Sequence, residues 1–176
     1  MNIRIATTQD QDDIRRLYWS AFPAAENEMV ATLAVELLAE NSALPIISLI
    51  AEMDDAVVGH VAFSPIKIDK QAAIQAYILA PLAVRPDCQN KRIGSALVEY
   101  GMQQLSALGV DILFVYGAPE YYGRFGFSAE TAQGYNAPYP LQYPFGWQAV
   151  AIRDCVIENG PHALQCVKAL CKPLLW

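Results

Sequence analysis

The residues with the clearest chemical promise run from Pro81 to Ser95, as Pro81-Leu82-Ala83-Val84-Arg85-Pro86-Asp87-Cys88-Gln89-Asn90-Lys91-Arg92-Ile93-Gly94-Ser95. An apolar strand ends at Val84, a short loop follows, and a helix is expected to begin near Lys91. A helix N-terminus presents free N–H groups and about half a positive charge, so it suits an anion. Gly94 lets the backbone approach a ligand with no Cβ in the way. Ser95 adds a hydroxyl, and Arg85, Lys91 and Arg92 add charge against the single acid Asp87. Such a turn offers what a pyrophosphate requires. The positive island stands out because the whole chain is acidic, at −6.

The elements that must position this turn follow from pattern. Asn2–Ala6 alternates like a short strand. Thr8-Gln9-Asp10-Gln11 has capping-box spacing, followed by Ile14, Leu17, Tyr18 and Ala21 at helical intervals up to Pro23. Val30, Leu33, Ala34, Leu37 and Leu38 form the stripe of a second helix between about Glu26 and Glu40. Ile46–Met53 and Ala56–Ile66 read as hairpin strands joined at Asp54-Asp55. Ala73–Val84 reads as a third strand. Pro81 inside it cannot donate to a ladder, so the strand is bulged or at an edge there. Lys91–Leu108 is expected as a long helix with Ile93, Leu97, Tyr100, Leu105 and Leu108 inward, closed by Gly109. Val110–Tyr116 is a buried strand, a helical turn starts at Pro119, and Trp147–Ile152 is another strand. The order β-α-α-β-β-β-α-β-α-β, with no repeat and no linker, implies a mixed α/β fold in a single domain over 1–176. Its core is expected over about 1–152, with 153–176 as a C-terminal extension.

The loop and helix here resemble motif A of the GNAT acetyltransferases, [Q/R]-x-x-G-x-[G/A], aligned as Gln89, Asn90, Lys91, Arg92, Ile93 and Gly94. Arg92 stands where the pattern has its first glycine. An arginine fits there if its backbone is ordinary helix and its side chain points outward. Gly117-Ala118-Pro119-Glu120-Tyr121-Tyr122-Gly123-Arg124-Phe125-Gly126-Phe127 is similar to the family's motif B, Y-x-x-x-G-F. Its fuller form, G-x-P-x-Y-Y-x-R-F-G-F, is typical of one bacterial branch of predicted acetyltransferases. The segments Ala51-Glu52 and Val58–Pro65 resemble that branch as well. The resemblance covers most of residues 1–130.

What the resemblance implies is a single GNAT-type domain with splayed central strands, binding acetyl-CoA and acetylating an amine of a small molecule or protein. The amides of Gln89, Asn90, Lys91, Arg92, Ile93, Gly94 and Ser95 would wrap the CoA pyrophosphate. Backbone groups of Leu82, Ala83 and Val84 would face the pantetheine arm, past a bulge at Pro81, and an N–H there would polarise the thioester carbonyl. Tyr122, four residues before Gly126, takes the family's general-acid position, with Tyr121 as fallback. A phenol with an unperturbed pKa of about 10 suits protonation of a departing thiolate. For the base, Glu26, Glu28, Glu52, Glu120 and His60 are all present and none is singled out. An alternative within the same fold is an acyl-CoA-binding module without turnover, as a sensor or assembly partner.

Composition bounds the remaining classes. Hydrophobic residues at 54% and charged residues at 17% describe a folded domain. The acidic balance, 12 basic against 18 acidic residues, speaks against nucleic acid and would attract a cationic amine. No apolar run approaches the roughly 20 residues of a membrane span, and no secretory leader pattern begins the chain, so a cytoplasmic protein is expected. The four cysteines (Cys88, Cys155, Cys166, Cys171) and two histidines lack zinc-ligand spacing, so no metal is expected and the thiols read as packing residues. Tyr135, Tyr139, Tyr143, Phe145 and Trp147 alternate with prolines. They form either a wall of an acceptor site or a stiff loop over the sheet. The apolar segment Ala169–Trp176 either pairs two copies or covers the protein's own core, leaving monomer and homodimer both open.

Overall fold

Two compact units make up the chain in the computed structural model, which describes residues 1–154 and 160–176. The first unit comprises Met1–Phe63 and Ala80–Gly101, the second Ser64–Leu79 and Met102–Trp176. Cys155 lies outside the described residues.

In the first unit, β1 (Asn2–Ile5) pairs antiparallel with β2 (Ile47–Met53), from Asn2↔Glu52 to Ile5↔Leu49. β2 pairs antiparallel with the first part of β3 (Ala56–Ile68), from Ile47↔Phe63 to Met53↔Ala56. Asp54 and Asp55 make the hairpin turn with φ of 50° and 58°, the two left-handed residues a tight two-residue hairpin requires. Helix α1 (Gln11–Ala21) buries Ile14, Leu17 and Tyr18, and α2 (Asn27–Ala39) buries Ala31, Leu33, Ala34, Val35 and Leu37. Ile14, Tyr18, Ala31, Ala34, Ile50 and Ala83 meet in one cluster. The capping box sits one residue earlier than its expected place. Thr7 donates through both N–H (2.7 Å) and hydroxyl (3.0 Å) to Asp10 Oδ2. Arg4 selects that register, because its guanidinium forks onto Asp10 at 2.8 and 2.9 Å and onto Glu52 at 2.7 and 3.1 Å.

His60 is fully buried on β3, between the Tyr18 hydroxyl at Nδ1 (2.8 Å) and the Ser48 hydroxyl at Nε2 (2.7 Å). Burial pushes its pKa down to about 3. A histidine so depressed is neutral when folded, while the unfolded chain takes up its proton below the ordinary 6.5. Its stabilising contribution is therefore present above pH 6.5 and is lost as pH falls from 6.5 toward 3. Urea unfolding between pH 7 and 4 should show stability dropping with a slope of up to about 1.4 kcal/mol per pH unit from this one proton. His60→Gln should flatten that slope while lowering stability at pH 7.

In the second unit, β4 (Ala76–Val84, here its first half) runs parallel to β5 (Ile112–Tyr116), from Ala76↔Ile112 to Leu79↔Val115. β5 in turn pairs antiparallel with β7 (Trp147–Ala151), from Ile112↔Ala151 to Tyr116↔Trp147. β8 (His162–Gln165) pairs with the end of β3 at Lys67↔Gln165 and Ile68↔Leu164, and a two-residue β6 (Tyr135–Asn136) lies parallel to it. These last two strands are too short to show a periodicity, so the sequence did not announce them.

β4 lies between β3 and β5 in the strand order, so it is not an edge strand along its first half. Its ladder to β5 stops at Leu79, two residues before Pro81, and the Ala80–Pro81 peptide is cis. The architecture is an open mixed sheet with four α-helices among the described residues, the third α3 (Ile93–Ala107) and the fourth α4 (Pro119–Tyr122). Among the described residues, no helix is long and apolar enough to cross a membrane.

Candidate active site

The first unit assembles the expected anion turn from β4, a 3-10 turn at Pro86–Cys88 and the start of α3. Arg85 N–H donates to the Val58 carbonyl at 2.9 Å, tying the end of β4 to β3. The Gln89 side-chain amide then donates to the Val84 carbonyl at 3.1 Å, so the Leu82–Val84 and Gln89–Ser95 segments are held together. Gly59 of β3 sets the depth of the helix. A Cβ there would lie 2.9 Å from Leu97 Cδ1 and 3.0 Å from Ile93 Cγ2, so only glycine lets α3 sit this close to the strand.

Helix α3 starts at Ile93, two residues later than the pattern suggested. Arg92 is its cap: its carbonyl accepts the Ala96 N–H at 2.9 Å. The amides of Arg92, Ile93, Gly94 and Ser95 are therefore the four with no intrahelical acceptor. Gly94 and Ser95 are buried, while Lys91 and Arg92 are exposed. Two of the turn's three cations are already engaged within it. Arg85 is forked onto Asp87 at 2.7 and 3.1 Å, and Lys91 Nζ donates to the Asp87 carbonyl at 3.0 Å. Among the described residues, Arg92 forms no salt bridge.

Arg92 does not have the ordinary helical backbone expected of it. Its φ is +63°, and Asn90 before it has +60°. This left-handed geometry explains why the motif carries a glycine there, a reason the motif itself contained. A side chain with Cβ costs roughly 1–2 kcal/mol in that region. Arg92→Gly removes that strain but frees the unfolded chain, at about 0.4–1 kcal/mol. It should leave the protein more stable by about 0.5–1 kcal/mol in urea unfolding. Arg92→Val, β-branched in the same geometry, should be destabilising.

Tyr122 belongs to the second unit. Pro119 occupies the first turn of α4, and the Tyr121 and Tyr122 amides donate to the Ala118 carbonyl at 3.0 and 3.1 Å. The Tyr122 ring packs against Gly117, where a Cβ would clash with Cε2 and Cδ2, and lies T-shaped to Phe127 at 5.7 Å. Gly126, at φ +88°, turns the chain after Phe125 so that Phe127 can fold back. Burial, with a smaller effect from the neighbouring Tyr121 phenol, raises the Tyr122 pKa well above its ordinary value. This half-buried phenol therefore keeps its proton at neutral and mildly alkaline pH. Tyr121 is engaged differently. The Arg124 guanidinium lies over its ring at 4.2 Å and its carbonyl accepts from Arg124 Nε at 3.0 Å, a packing arrangement.

The carboxylates do not converge on a base. Glu52 is held by Arg4, Glu28 pairs with Arg15 at 3.6 Å, and Glu26 and Glu120 are exposed. His60 is the buried, neutral sheet histidine described above. The aromatic stretch divides. Tyr135 and Trp147 are core, packed on Phe114 at 5.1 and 5.3 Å, whereas Tyr143 and Phe145 are 53% and 67% exposed. Trp176 turns inward, stacked on Tyr116 at 6.4 Å and against Trp147 at 6.0 Å, so the C-terminal segment covers its own unit.

Comparison with known proteins gives consistent results. Residues 11–127 match the sequence model of the Acetyltransferase (GNAT) family. The Uncharacterized N-acetyltransferase YjhQ of Escherichia coli is 36% identical over 140 residues, covering 78% of this chain and 75% of that one. A GNAT family acetyltransferase from Brucella melitensis, solved in complex with acetyl-CoA, superposes with a TM-score of 0.72 at 28% identity over 96% of each chain. The E. coli protein YhbS, solved in complex with CoA, reaches a TM-score of 0.83 at 23% identity, covering 97% of this chain and 92% of that one.

Proposed function

The chain is a member of the GNAT acetyltransferase family, and from that premise we propose that it moves an acetyl group from acetyl-CoA directly to a primary amine of a small molecule or protein. The observation that carries this reading is the α3 N-terminus. Four consecutive amides, Arg92–Ser95, lack intrahelical acceptors beside a strand end clamped by Gln89. The Brucella relative's complex with acetyl-CoA supports the same co-substrate here.

In this reading the Gln89–Ser95 amides receive the pyrophosphate oxygens, and Arg92 adds a full positive charge. The Leu82–Val84 backbone aligns the pantetheine arm, and one of its N–H groups polarises the thioester carbonyl. Tyr122 donates its phenolic proton to the sulfur as the C–S bond breaks. The amine nitrogen forms the new amide bond and gives up a proton to solvent or to a base. The acidic surface favours a cationic acceptor, and the exposed Tyr143 and Phe145 favour one with an apolar or aromatic part. A cytoplasmic setting belongs to the same proposal.

The test joins calorimetric titration of acetyl-CoA with thiol release across a panel of primary amines. Micromolar binding and amine-dependent release of CoA thiol support the enzyme. The left-handed Arg92 favours the second reading, an acyl-CoA-binding module without turnover, because an exposed arginine replaces the ligand-facing glycine. Tight binding with no release for any amine would favour that reading. Absence of binding to the folded protein would overturn both.

A further inference from the structure

Sequence spacing makes the four cysteines look scattered, but folding brings two of them together. Cys166 and Cys171 flank the turn Lys168–Leu170, and their Sγ atoms lie 3.6 Å apart. The turn itself sets this distance. The Cys171 N–H donates to the Lys168 carbonyl at 3.0 Å, the Leu170 N–H to the Val167 carbonyl at 3.1 Å, and the chain folds back on itself. The Cys171 thiol also points toward the Val167 carbonyl, at 3.4 Å, so it is held on the side of the turn that faces Cys166.

Accessibility sorts the thiols. Cys171 is exposed and Cys166 half-buried, whereas Cys88 is buried under Arg85 in the other unit. A disulfide has an S–S bond of about 2.05 Å, so closure from 3.6 Å asks only for a small side-chain rotation within one short turn. The Leu170 carbonyl of this turn accepts the Trp176 indole N–H at 3.1 Å. A bond across the turn would therefore staple the anchor that holds Trp176 against Tyr116 and Trp147.

We propose that Cys166 and Cys171 form a redox-active dithiol that low-molecular-weight disulfides convert to an intrachain disulfide, closing the Lys168–Leu170 turn. The exposed Cys171 thiolate attacks one sulfur of the small disulfide, forming a mixed disulfide and releasing one small thiol. Cys166 then attacks the Cys171 sulfur, forming the intrachain bond and releasing the second small thiol. The two protein thiols are oxidised and the small disulfide is reduced, with both protons accounted for in the two thiols released. This inference does not depend on the acetyltransferase reading.

The experiment incubates native protein with oxidised glutathione, then unfolds it, alkylates the remaining thiols and weighs the intact chain. The four thiols of the wild type should fall to two, with no glutathione retained. Cys155→Ser should fall from three to one. Cys166→Ser and Cys171→Ser should form no intrachain bond, and Cys166→Ser, which keeps the exposed Cys171, should retain a glutathione adduct. Loss of the reaction in Cys155→Ser, its persistence in Cys166→Ser or Cys171→Ser, or no reaction in the wild type would each overturn the assignment.

Discussion

Tyr122→Phe should lower kcat for amine acetylation by about 10²- to 10⁴-fold, the range a positioned general acid contributes, while leaving acetyl-CoA affinity nearly unchanged. The substitution removes one oxygen and keeps the ring. The contacts that seat Tyr122 are made by its ring: against Gly117, and T-shaped to Phe127 and Tyr121. Phenylalanine keeps all of them, so a kcat loss reports on the hydroxyl and not on packing. The direction of the phenol's pKa adds a second readout. Because burial raises it, the wild-type rate should show no decline from phenol ionisation up to and beyond pH 10. Tyr121→Phe serves as the comparison. Tyr121 lies under Arg124 and should change kcat by less than tenfold. Steady-state rates of CoA thiol release at saturating amine measure all of this. An unchanged kcat in Tyr122→Phe would remove the general-acid assignment.

Gly94→Trp should abolish measurable binding of acetyl-CoA and CoA in calorimetric titration. Gly94 is the second residue of α3, among the four amides left without intrahelical acceptors. On the proposed reading, an indole there would obstruct the approach of a pyrophosphate to the backbone. Gly94 is also buried, so the variant is checked by circular dichroism and thermal melting. Gln89→Ala is a gentler companion, since it removes only the amide that clamps the Val84 carbonyl. It should weaken CoA binding by about fivefold to tenfold, the worth of one hydrogen bond of about 1 kcal/mol. Undiminished binding in both variants would move the cofactor site away from this turn.

The two signature regions were legible in sequence for different reasons. Pro81 announced a broken ladder because a residue without N–H cannot continue one, and the pairing with β5 ends at Leu79. The Asp54-Asp55 turn was legible because it separates two apolar runs of strand composition. At Arg92 the side chain hides the backbone: a glycine in such a pattern reports a left-handed conformation, and the arginine adopts it at +63° instead of ordinary helix. The capping box forms at Thr7 and not Thr8, two residues equally good by local chemistry. Arg4 and Glu52, distant in sequence, decide for Asp10 as the carboxylate partner.

By itself, the sequence determined the family and the order of the main strands and helices. These are local properties: periodicity, a proline, a glycine, a short pattern. The tertiary structure alone decided which polar groups are already engaged. Arg85 is taken by Asp87, Glu52 by Arg4, and His60 is neutral between Tyr18 and Ser48, so none of the three is left as a free charge or base. It alone brought Cys166 within 3.6 Å of Cys171 and turned Trp176 into its own core. Pairing and burial depend on which distant segments meet, and a hydrogen bond or a pKa is set by the neighbour that folding supplies.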